Sequence, residues 1–325
     1  MLNTVKIYIP GFALAFIIGL FSTFLNKKLG VPTSLLALFI GIGVSFLYQR
    51  NTLQSGINFS SRFILRFGVA FLGFRIVFDD IFTLGWSTAF MISISIATTI
   101  FVGIITAKFL GLRKDFGALT GGAVSICGAS AAIAITTVLP DHKDKERNLS
   151  FTIIGITAFS TAAMVLYPII GHMLNLNPTD MALFLGGTIH DVAQTAGAGY
   201  AVSEEVGDLA ILTKMIRVSF LLPVVVCFML YLQTKNSDSG SKVPVPTFLF
   251  VFIAFIILNS ILTIPQEVTE KINIVSRQAL ITAIAAIGLK SNLRDILNVG
   301  LKPIILIAIQ TLTMAVITIT YITYL

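Results

Sequence analysis

The sequence contains few charged residues for its length, and this scarcity excludes several classes of protein. Of its 325 residues only 11% are charged, whereas 56% are hydrophobic and the mean hydropathy is +0.93. A soluble domain usually carries about 25% charged residues, and so few could not cover a water-facing surface. We therefore exclude a soluble enzyme, a nucleic-acid-binding domain and a disordered protein, and predict a polytopic helical membrane protein.

Cysteine and metal-binding patterns are also scarce. The two cysteines, Cys127 and Cys227, lie inside apolar segments and indicate no disulfide framework or thiolate metal site. The sequence contains no Gly-Lys-Ser/Thr phosphate loop and no clustered metal ligands, so we predict no cofactor, no metal and no enzymatic activity. The net charge of +7 arises largely from short basic runs between apolar segments, which are typical topology signals and predict no nucleic-acid partner.

The apolar segments predict an all-α fold of about eleven transmembrane helices in one membrane domain, residues 1–325. A membrane-spanning helix needs about 17–25 apolar residues, and the alternating pattern of a β-barrel is absent. The predicted spans are 7–25, 31–48, 61–78, 86–109, 116–139, 149–173, 181–202, 209–232, 247–264, 276–296 and 301–324.

An internal repeat relates residues 61–106 to residues 276–321. A shift of 215 residues gives eight identities in the first 25 positions without a gap. The identical pairs are Ser61/Ser276, Arg62/Arg277, Leu65/Leu280, Ala70/Ala285, Gly73/Gly288, Asp80/Asp295, Ile81/Ile296 and Gly85/Gly300. The two segments are the third and tenth predicted helices, so an odd number of crossings inverts the second copy. Inverted repeats with interrupted helices are typical of secondary transporters.

The segment 116–139 is rich in glycine and hydroxyl residues at the middle of a predicted span. Its candidate substrate-binding residues are Gly121, Gly122, Ser125, Cys127, Gly128 and Ser130. Glycine weakens a helix there, and a broken helix exposes a positive N-terminal end that suits an anion. The alternative is close packing of helices through small residues.

The segment 181–202 repeats the Gly-Gly pair, so we predict a second broken, glycine-rich helix there, and it adds ionisable side chains. Its candidates are Gly186, Gly187, Gln194 and Thr195 for the substrate, and His190 and Asp191 for coupling. Of the fifteen acidic residues, Asp191 alone lies well inside a predicted span, which by default marks a pathway or relay. On a continuous helix, His190 with Gln194 and Asp191 with Thr195 would form two adjacent polar faces. The alternative is a structural pair that joins two helices.

Four basic residues within the spans are candidate charge partners. Arg75 and Lys290 occupy matching repeat positions, and Lys214 and Arg217 lie three residues apart in the eighth span. Each could neutralise an anionic substrate, pair with Asp191 or extend to a lipid headgroup.

Three stretches resemble the YeiH family of bacterial membrane proteins, which are described as sulfate exporters. They are LRFGVAFLGFRIVFDDI (Leu65–Ile81), SICGASAAIA (Ser125–Ala134) and IHDVAQTAGAG (Ile189–Gly199). The resemblance covers essentially the whole chain and implies a multi-pass protein of the bacterial plasma membrane that transports a solute. More distantly, the chain is similar to the sodium/proton antiporter and bile-acid symporter superfamily, in which two interrupted helices cross at mid-membrane.

The sequence thus predicts a secondary transporter for a small anion, such as sulfate or a related oxyanion, coupled to protons or another ion. Its expected partners are the anion and the lipid bilayer, and a homodimer is left open. The competing hypotheses are a passive anion channel and an intramembrane enzyme that would use Ser125 or Cys127 with His190.

Overall fold

The computed structural model describes residues 2–232, 247–262, 265–291 and 300–324, and for residues 2–6, 80, 81, 83 and 266 it describes the backbone alone. The predicted repeat pairs at 80/295 and 81/296 therefore lie outside the described part of the chain. Within the described ranges the chain is helical and contains no β-strand, as the composition predicts.

Fifteen α-helices are described. They are α1 (Leu2–Leu29), α2 (Thr33–Gly43), α3 (Asn51–Phe59), α4 (Leu65–Leu72), α5 (Phe78–Phe109), α6 (Lys114–Ser125), α7 (Ala129–Val138), α8 (Lys145–Met173), α9 (Pro178–Thr188), α10 (Val192–Val202), α11 (Glu204–Ser219), α12 (Leu221–Leu232), α13 (Thr247–Ile261), α14 (Gln266–Lys290) and α15 (Leu301–Tyr324). A short 3-10 helix (Ser45–Gln49) and a π-helical turn (Ser60–Ile64) flank α3.

Six helical stretches in the described ranges are long and apolar enough to cross a membrane. They are Ile7–Leu29, Leu84–Phe109, Lys145–Met173, Glu204–Tyr231, Glu267–Lys290 and Leu301–Tyr324, and each overlaps one predicted span. The other five predicted spans contain shorter helices, most of them because a break or a change of helix type divides the segment. The count of eleven crossings stays a prediction.

The chain folds into two compact units, and each combines segments that are distant in sequence. Unit 1 contains residues 1–83, 196–211 and 247–292, and unit 2 contains residues 84–195, 212–246 and 293–325. Both broken segments predicted from sequence fall mainly in unit 2.

Glycine contacts pack the helices of unit 1 at very short range. Gly11 of α1 and Gly56 of α3 face each other so closely that a Cβ atom on either would overlap the backbone of the opposite helix. Gly41 of α2 meets Gly288 of α14 in the same way. The Ser276 hydroxyl of α14 also donates to the carbonyl oxygen of Gly68 in α4 at 2.7 Å. Since lipid offers no hydrophobic driving force between helices, such close packing is the usual source of association in a membrane.

The hairpin formed by residues 196–211 belongs to unit 1 and is held by polar contacts. The Ser34 hydroxyl donates to the carbonyl oxygen of Gly197 at 2.8 Å, and the Tyr200 hydroxyl donates to Asp208 at 2.7 Å. Arg75 forms ion pairs with Asp208 at 2.9 Å and with Glu204 at 3.2 Å. Arg75, one of the predicted charge partners, is therefore paired with acidic side chains of its own unit.

Unit 2 contains the remaining long helices around the two broken segments. Helix α5 bends at Gly85, whose φ of 70° is a left-handed value that favours glycine. Helix α9 begins in a standard way, because the Asn177 side chain accepts a hydrogen bond from the Asp180 amide and Pro178 takes the first helical position. These helices place residues 126–128 and 189–191, the two breaks, in the interior of the unit.

Candidate functional site

Both predicted breaks are present, and they lie side by side. Helix α6 ends at Ser125 and α7 begins at Ala129, while α9 ends at Thr188 and α10 begins at Val192. Gly128 has φ 68° and ψ −126°, a conformation that L side chains rarely adopt. A Cβ atom on Gly128 would lie 3.5 Å from the carbonyl oxygen of His190, so the two breaks are in contact distance.

His190 and Asp191 lie in the second break and not on a helix. Ile189 is extended, with ψ 138°, and helix α10 starts only at Val192. The predicted pair of adjacent helical faces is therefore wrong for these two residues. The spacing argument assumed a continuous helix, whereas the Gly-Gly pair and the capping carboxylate end one helix and begin another.

Arg217 holds the C-terminal ends of both helices that precede the breaks. Its guanidinium donates to the carbonyl oxygens of Val124 at 2.9 Å and Ser125 at 3.0 Å, at the end of α6. It also donates to those of Gly186 and Ile189, both at 3.0 Å, at the end of α9. Arg217 is only 1% exposed. The last carbonyls of a helix lack intrahelical partners and carry the negative end of its dipole, so a buried cation stabilises both ends at once.

Lys214 lies one helical turn before Arg217 on α11 and supports the same end of α9. Its ammonium donates to the carbonyl oxygen of Ile189 at 2.6 Å, and the side chain is fully buried. Two basic side chains therefore converge on one carbonyl oxygen of the second break. A buried charge is retained only where hydrogen bonds and opposite charge or dipoles compensate for its lost hydration.

Asp191 caps the helix that follows the second break. Its carboxylate accepts a hydrogen bond from the amide of Ala193 at 3.0 Å, which is the N-cap arrangement for α10. Its own amide donates to the Ser160 hydroxyl of α8 at 3.1 Å. Asp191 is half-buried, while the neighbouring His190 is fully buried. The carboxylate therefore sits at the positive end of a helix and is only partly covered by the protein.

The His190 ring is fixed by a helix that is distant in sequence. Its Nε2 atom lies 3.0 Å from the Thr311 hydroxyl of α15. On the same helix, Gln310 donates to the Gly117 carbonyl oxygen at 3.2 Å and to the Thr120 hydroxyl at 2.9 Å. Helix α15 thus contacts both broken segments through two adjacent polar residues.

The N-terminus of α7 differs from the other three helix ends at the breaks. It begins at Gly128, which has no side chain to form a cap, and Ala129 and Ser130 in its first turn are only half-buried. The thiol of the buried Cys127 lies at the backbone amide of Ala131. Residues 126–128 contain no carboxylate, so the positive end of this helix has no acidic side chain in its own N-cap region.

Several predicted substrate-binding glycines serve close packing. A Cβ atom on Gly121 would lie 2.8 Å from the Cα atom of Ile100 in α5, and one on Gly122 would overlap the Ile135 side chain. A Cβ atom on Gly187 would lie 3.1 Å from Thr318 of α15. The sequence left ligand binding and close packing open, and the contacts of these three glycines are packing contacts.

The polar candidates of the two segments are buried around the breaks. Ser125 is fully buried, and its hydroxyl lies 3.4 Å from the Gly122 carbonyl oxygen. The Thr195 hydroxyl donates to the carbonyl oxygen of Asp191 at 2.8 Å. Gln194 is 2% exposed, and its Oε1 atom has no hydrogen-bond partner among the described residues. Lys290 lies in unit 1 at the end of α14 and is half-buried.

Three residues that position the breaks were not predicted from the sequence, namely Ser160, Gln310 and Thr311. A polar residue in an apolar span was the available signal, and Gln310–Thr311 provides it inside the last predicted span. Ser160 was hidden among other small hydroxyl residues of α8, which usually bond to their own helix.

These features define a class: a helical membrane protein with two broken helices held together by buried basic side chains. Its sequence matches the family model described as "Conserved hypothetical protein 698" over residues 10–307. The chain belongs to this family, whose relatives carry the name UPF0324 membrane protein.

The relatives cover nearly the whole chain. A UPF0324 membrane protein of Chlorobaculum tepidum is 43% identical over 95% of this chain and 87% of its own length. TauZ of Paracoccus pantotrophus is 42% identical over 94% of this chain and 92% of its own length. The inner membrane protein YeiH of Escherichia coli K12 is 29% identical over 92% and 89%. No solved structure matches the chain.

Proposed function

We propose that the protein is a secondary transporter for a small anion, such as sulfate or a related oxyanion, which it exports in a process coupled to protons or another ion. The substrate site is formed by the two breaks, residues 126–128 and 189–191, and the first turns of α7 and α10. The observation that carries this proposal is which of the four helix ends that meet there have a compensating charged side chain.

Three of these four ends are compensated by charged side chains of the chain itself. Arg217 and Lys214 hold the two carbonyl ends, and Asp191 caps the amide end of α10. The remaining amide end, at α7, starts at a glycine and has a half-buried first turn. Since amide ends of helices bind anions, an anionic substrate at Ala129 and Ser130 would compensate the positive end of α7, the fourth helix end.

The formal charges favour the same ligand. Two buried basic side chains, Lys214 and Arg217, stand beside one carboxylate, Asp191, so the site has a formal charge of +1 before a substrate binds. A monovalent or divalent anion reduces the electrostatic cost of holding these cations away from water. Arg217 already uses its donors on carbonyl oxygens and the Met314 sulfur atom, so we assign it a positioning role.

We assign coupling to His190 and Asp191. Both lie in a break between helices, where a change in the α9–α10 geometry changes their surroundings directly. Asp191 is half-buried, whereas His190 is fully buried and anchored to Thr311, so the two could exchange protons between a partly exposed and a buried position.

We also propose the inverted repeat, which two observations support. Gly85 and Gly300, which the shift of 215 residues pairs, both have positive φ, 70° and 85°. Gly288 packs against α2, and its partner Gly73 packs against α13, the helix to which the same shift carries α2. The glycine of each repeat copy therefore packs against a helix of the other copy, as expected for two copies related by a two-fold axis.

The proposal is tested with purified protein in proteoliposomes. We expect sulfate or a related oxyanion to raise the unfolding temperature, since a ligand that binds only the folded state stabilises it. We expect labelled anion inside the vesicles to exchange with unlabelled anion outside. Absence of both effects for every oxyanion tested would overturn the proposal. Flux without saturation or counterflow would favour a channel instead.

A further inference from the structure

Three buried side-chain oxygen atoms without hydrogen-bond partners among the described residues belong to α5 and α15, two helices that contact α6 in unit 2. The side chains of Ser95 and Thr99 on α5 and of Gln310 on α15 are 2%, 0% and 0% exposed. Within the described part of the chain, Ser95 Oγ, Thr99 Oγ1 and Gln310 Oε1 have no hydrogen-bond partner. We call these three atoms the polar row. A buried oxygen without a partner is unfavourable, and three on helices that contact α6 require a shared explanation.

Helix contacts set the order of the polar row. Gly103 of α5 faces Gly117 of α6, because a Cβ atom on Gly103 would lie 2.6 Å from the Gly117 carbonyl oxygen. One turn away, a Cβ atom on Gly121 would lie 3.0 Å from the Thr99 carbonyl oxygen. Each step of four residues along α5 is thus matched by four residues in the opposite sense along α6. If the same register continues, the next step places Ser95 at the level of Ser125, the last residue before the first break.

Gln310 forms the other end of the polar row. Its amide nitrogen donates to the Gly117 carbonyl oxygen and the Thr120 hydroxyl, which leaves Oε1 as the buried acceptor. Gly103 lies against this amide. The row therefore runs from the level of Gly117, near the start of α6 at Lys114, to the break at Ser125.

The spacing of the polar row suits water. Successive members are about one helical turn apart, or about 5.4 Å. Two hydrogen bonds of about 2.8 Å through one bent bridging water molecule span about 4.5 Å, so one or two water molecules fill each gap. A single metal ion could not bind atoms so far apart, whereas hydroxyl groups alternating with water molecules form a continuous hydrogen-bonded chain.

We propose that the polar row is a hydrated file that conducts protons between the Lys114 end of α6 and the helix breaks. This proposal rests on the proposed function, because it supplies the proton route for a coupled transporter. The charged groups around the inner end are Lys214, Arg217 and Asp191, with His190 beside them. Those at the outer end are Arg113, Asp115 and His142, which form an ion-paired group at the start of α6. Asp191 is the base that receives the proton.

The first experiment is independent of transport. A map of the wild-type protein that resolves ordered water is expected to show water molecules bonded to Thr99 Oγ1 and Gln310 Oε1. A dry row in such a map would overturn the proposal.

The second experiment compares Thr99→Val and Ser95→Ala with Thr88→Val in proteoliposomes. Thr88 is a matched control on the same helix, since its buried hydroxyl already bonds to the carbonyl oxygen of Leu84. We expect Thr99→Val and Ser95→Ala to keep exchange of labelled sulfate but to slow sulfate-driven proton uptake, read with an internal pH dye. The expected decrease is about ten-fold, equal to about 1.4 kcal/mol in the barrier. Thr88→Val should keep both rates.

The outcomes separate the two proposals. The hydrated file would be overturned if proton uptake were unchanged in Thr99→Val and Ser95→Ala, or if Thr88→Val slowed it equally. Sulfate exchange by the same proteins would still support the transporter. A wild-type protein that exchanges no anion would overturn the proposed function, and the water map would still decide whether the file exists.

Discussion

Arg217 and Ser125 are 92 positions apart in the sequence, yet the Arg217 Nε atom donates to the Ser125 carbonyl oxygen at 3.0 Å. The same guanidinium reaches the end of α9, so one side chain fixes the relative position of the two helices that precede the breaks. A lysine, with a single compact ammonium group, cannot reproduce the planar fork that reaches several acceptors.

We therefore expect Arg217→Lys to lower both stability and transport. Each buried carbonyl oxygen that loses its hydrogen bond costs about 1–3 kcal/mol, so thermal unfolding in detergent should begin at clearly lower temperature. Arg147→Lys is the control, because Arg147 is 64% exposed in its pair with Asp144 and such pairs contribute about 0–1 kcal/mol. Equal unfolding temperatures for the two variants would show that the carbonyl contacts of Arg217 are unimportant.

Gly128→Ala should destabilise the first break. The residue has φ +68°, and a Cβ atom there would lie 3.2 Å from the Ile156 side chain. We expect a loss of about 1–3 kcal/mol and slower anion exchange. Gly43→Ala serves as the control, since no atom lies within 4 Å of a Cβ at that position and its φ is not left-handed. A Gly128→Ala protein as stable and active as Gly43→Ala would contradict the geometry of the break.

Two substitutions of Asp191 separate its charge from its cap. Asparagine is as good an N-cap as aspartate, whereas alanine loses about 1 kcal/mol at this position. We expect Asp191→Asn to unfold at a temperature closer to wild type than Asp191→Ala does. Both variants should lose proton-coupled accumulation of the anion, because neither carries an ionisable group. Retention of coupled uptake by Asp191→Asn would rule out the coupling role of the carboxylate.

Thr311→Val tests the anchor of His190. It removes the hydroxyl 3.0 Å from Nε2 and leaves a buried ring nitrogen without that partner, at a cost of about 1–3 kcal/mol. The control is Thr313→Val on the same helix, where the hydroxyl bonds only to the Ile309 carbonyl oxygen. We expect the Thr311 variant alone to change the pH profile of anion exchange. Identical profiles for the two variants would show that this hydrogen bond does not position the ring.

The composition and a few motifs determined the class of the protein and the segments that contain its breaks. Scarce charge and long apolar segments exclude water as the main solvent, and backbone groups in lipid must then be paired within helices. Glycine at mid-span and the isolated Asp191 marked the segments 116–139 and 181–202, because each residue type has a local effect on the backbone; the exact breaks, residues 126–128 and 189–191, came from the structure. Family membership over residues 10–307 agrees with the resemblance seen in the same stretches.

The tertiary structure decided which groups serve each break, because those contacts join residues far apart in the chain. Arg75 and Arg217 looked alike in the sequence, but Arg75 pairs with Glu204 and Asp208 in unit 1 while Arg217 holds helix ends in unit 2. Only the tertiary structure also shows that His190 and Asp191 lie outside a helix and that the Thr311 hydroxyl contacts the His190 ring. The partner of a side chain depends on which helices pack beside it, and the local sequence does not show which distant helices these are.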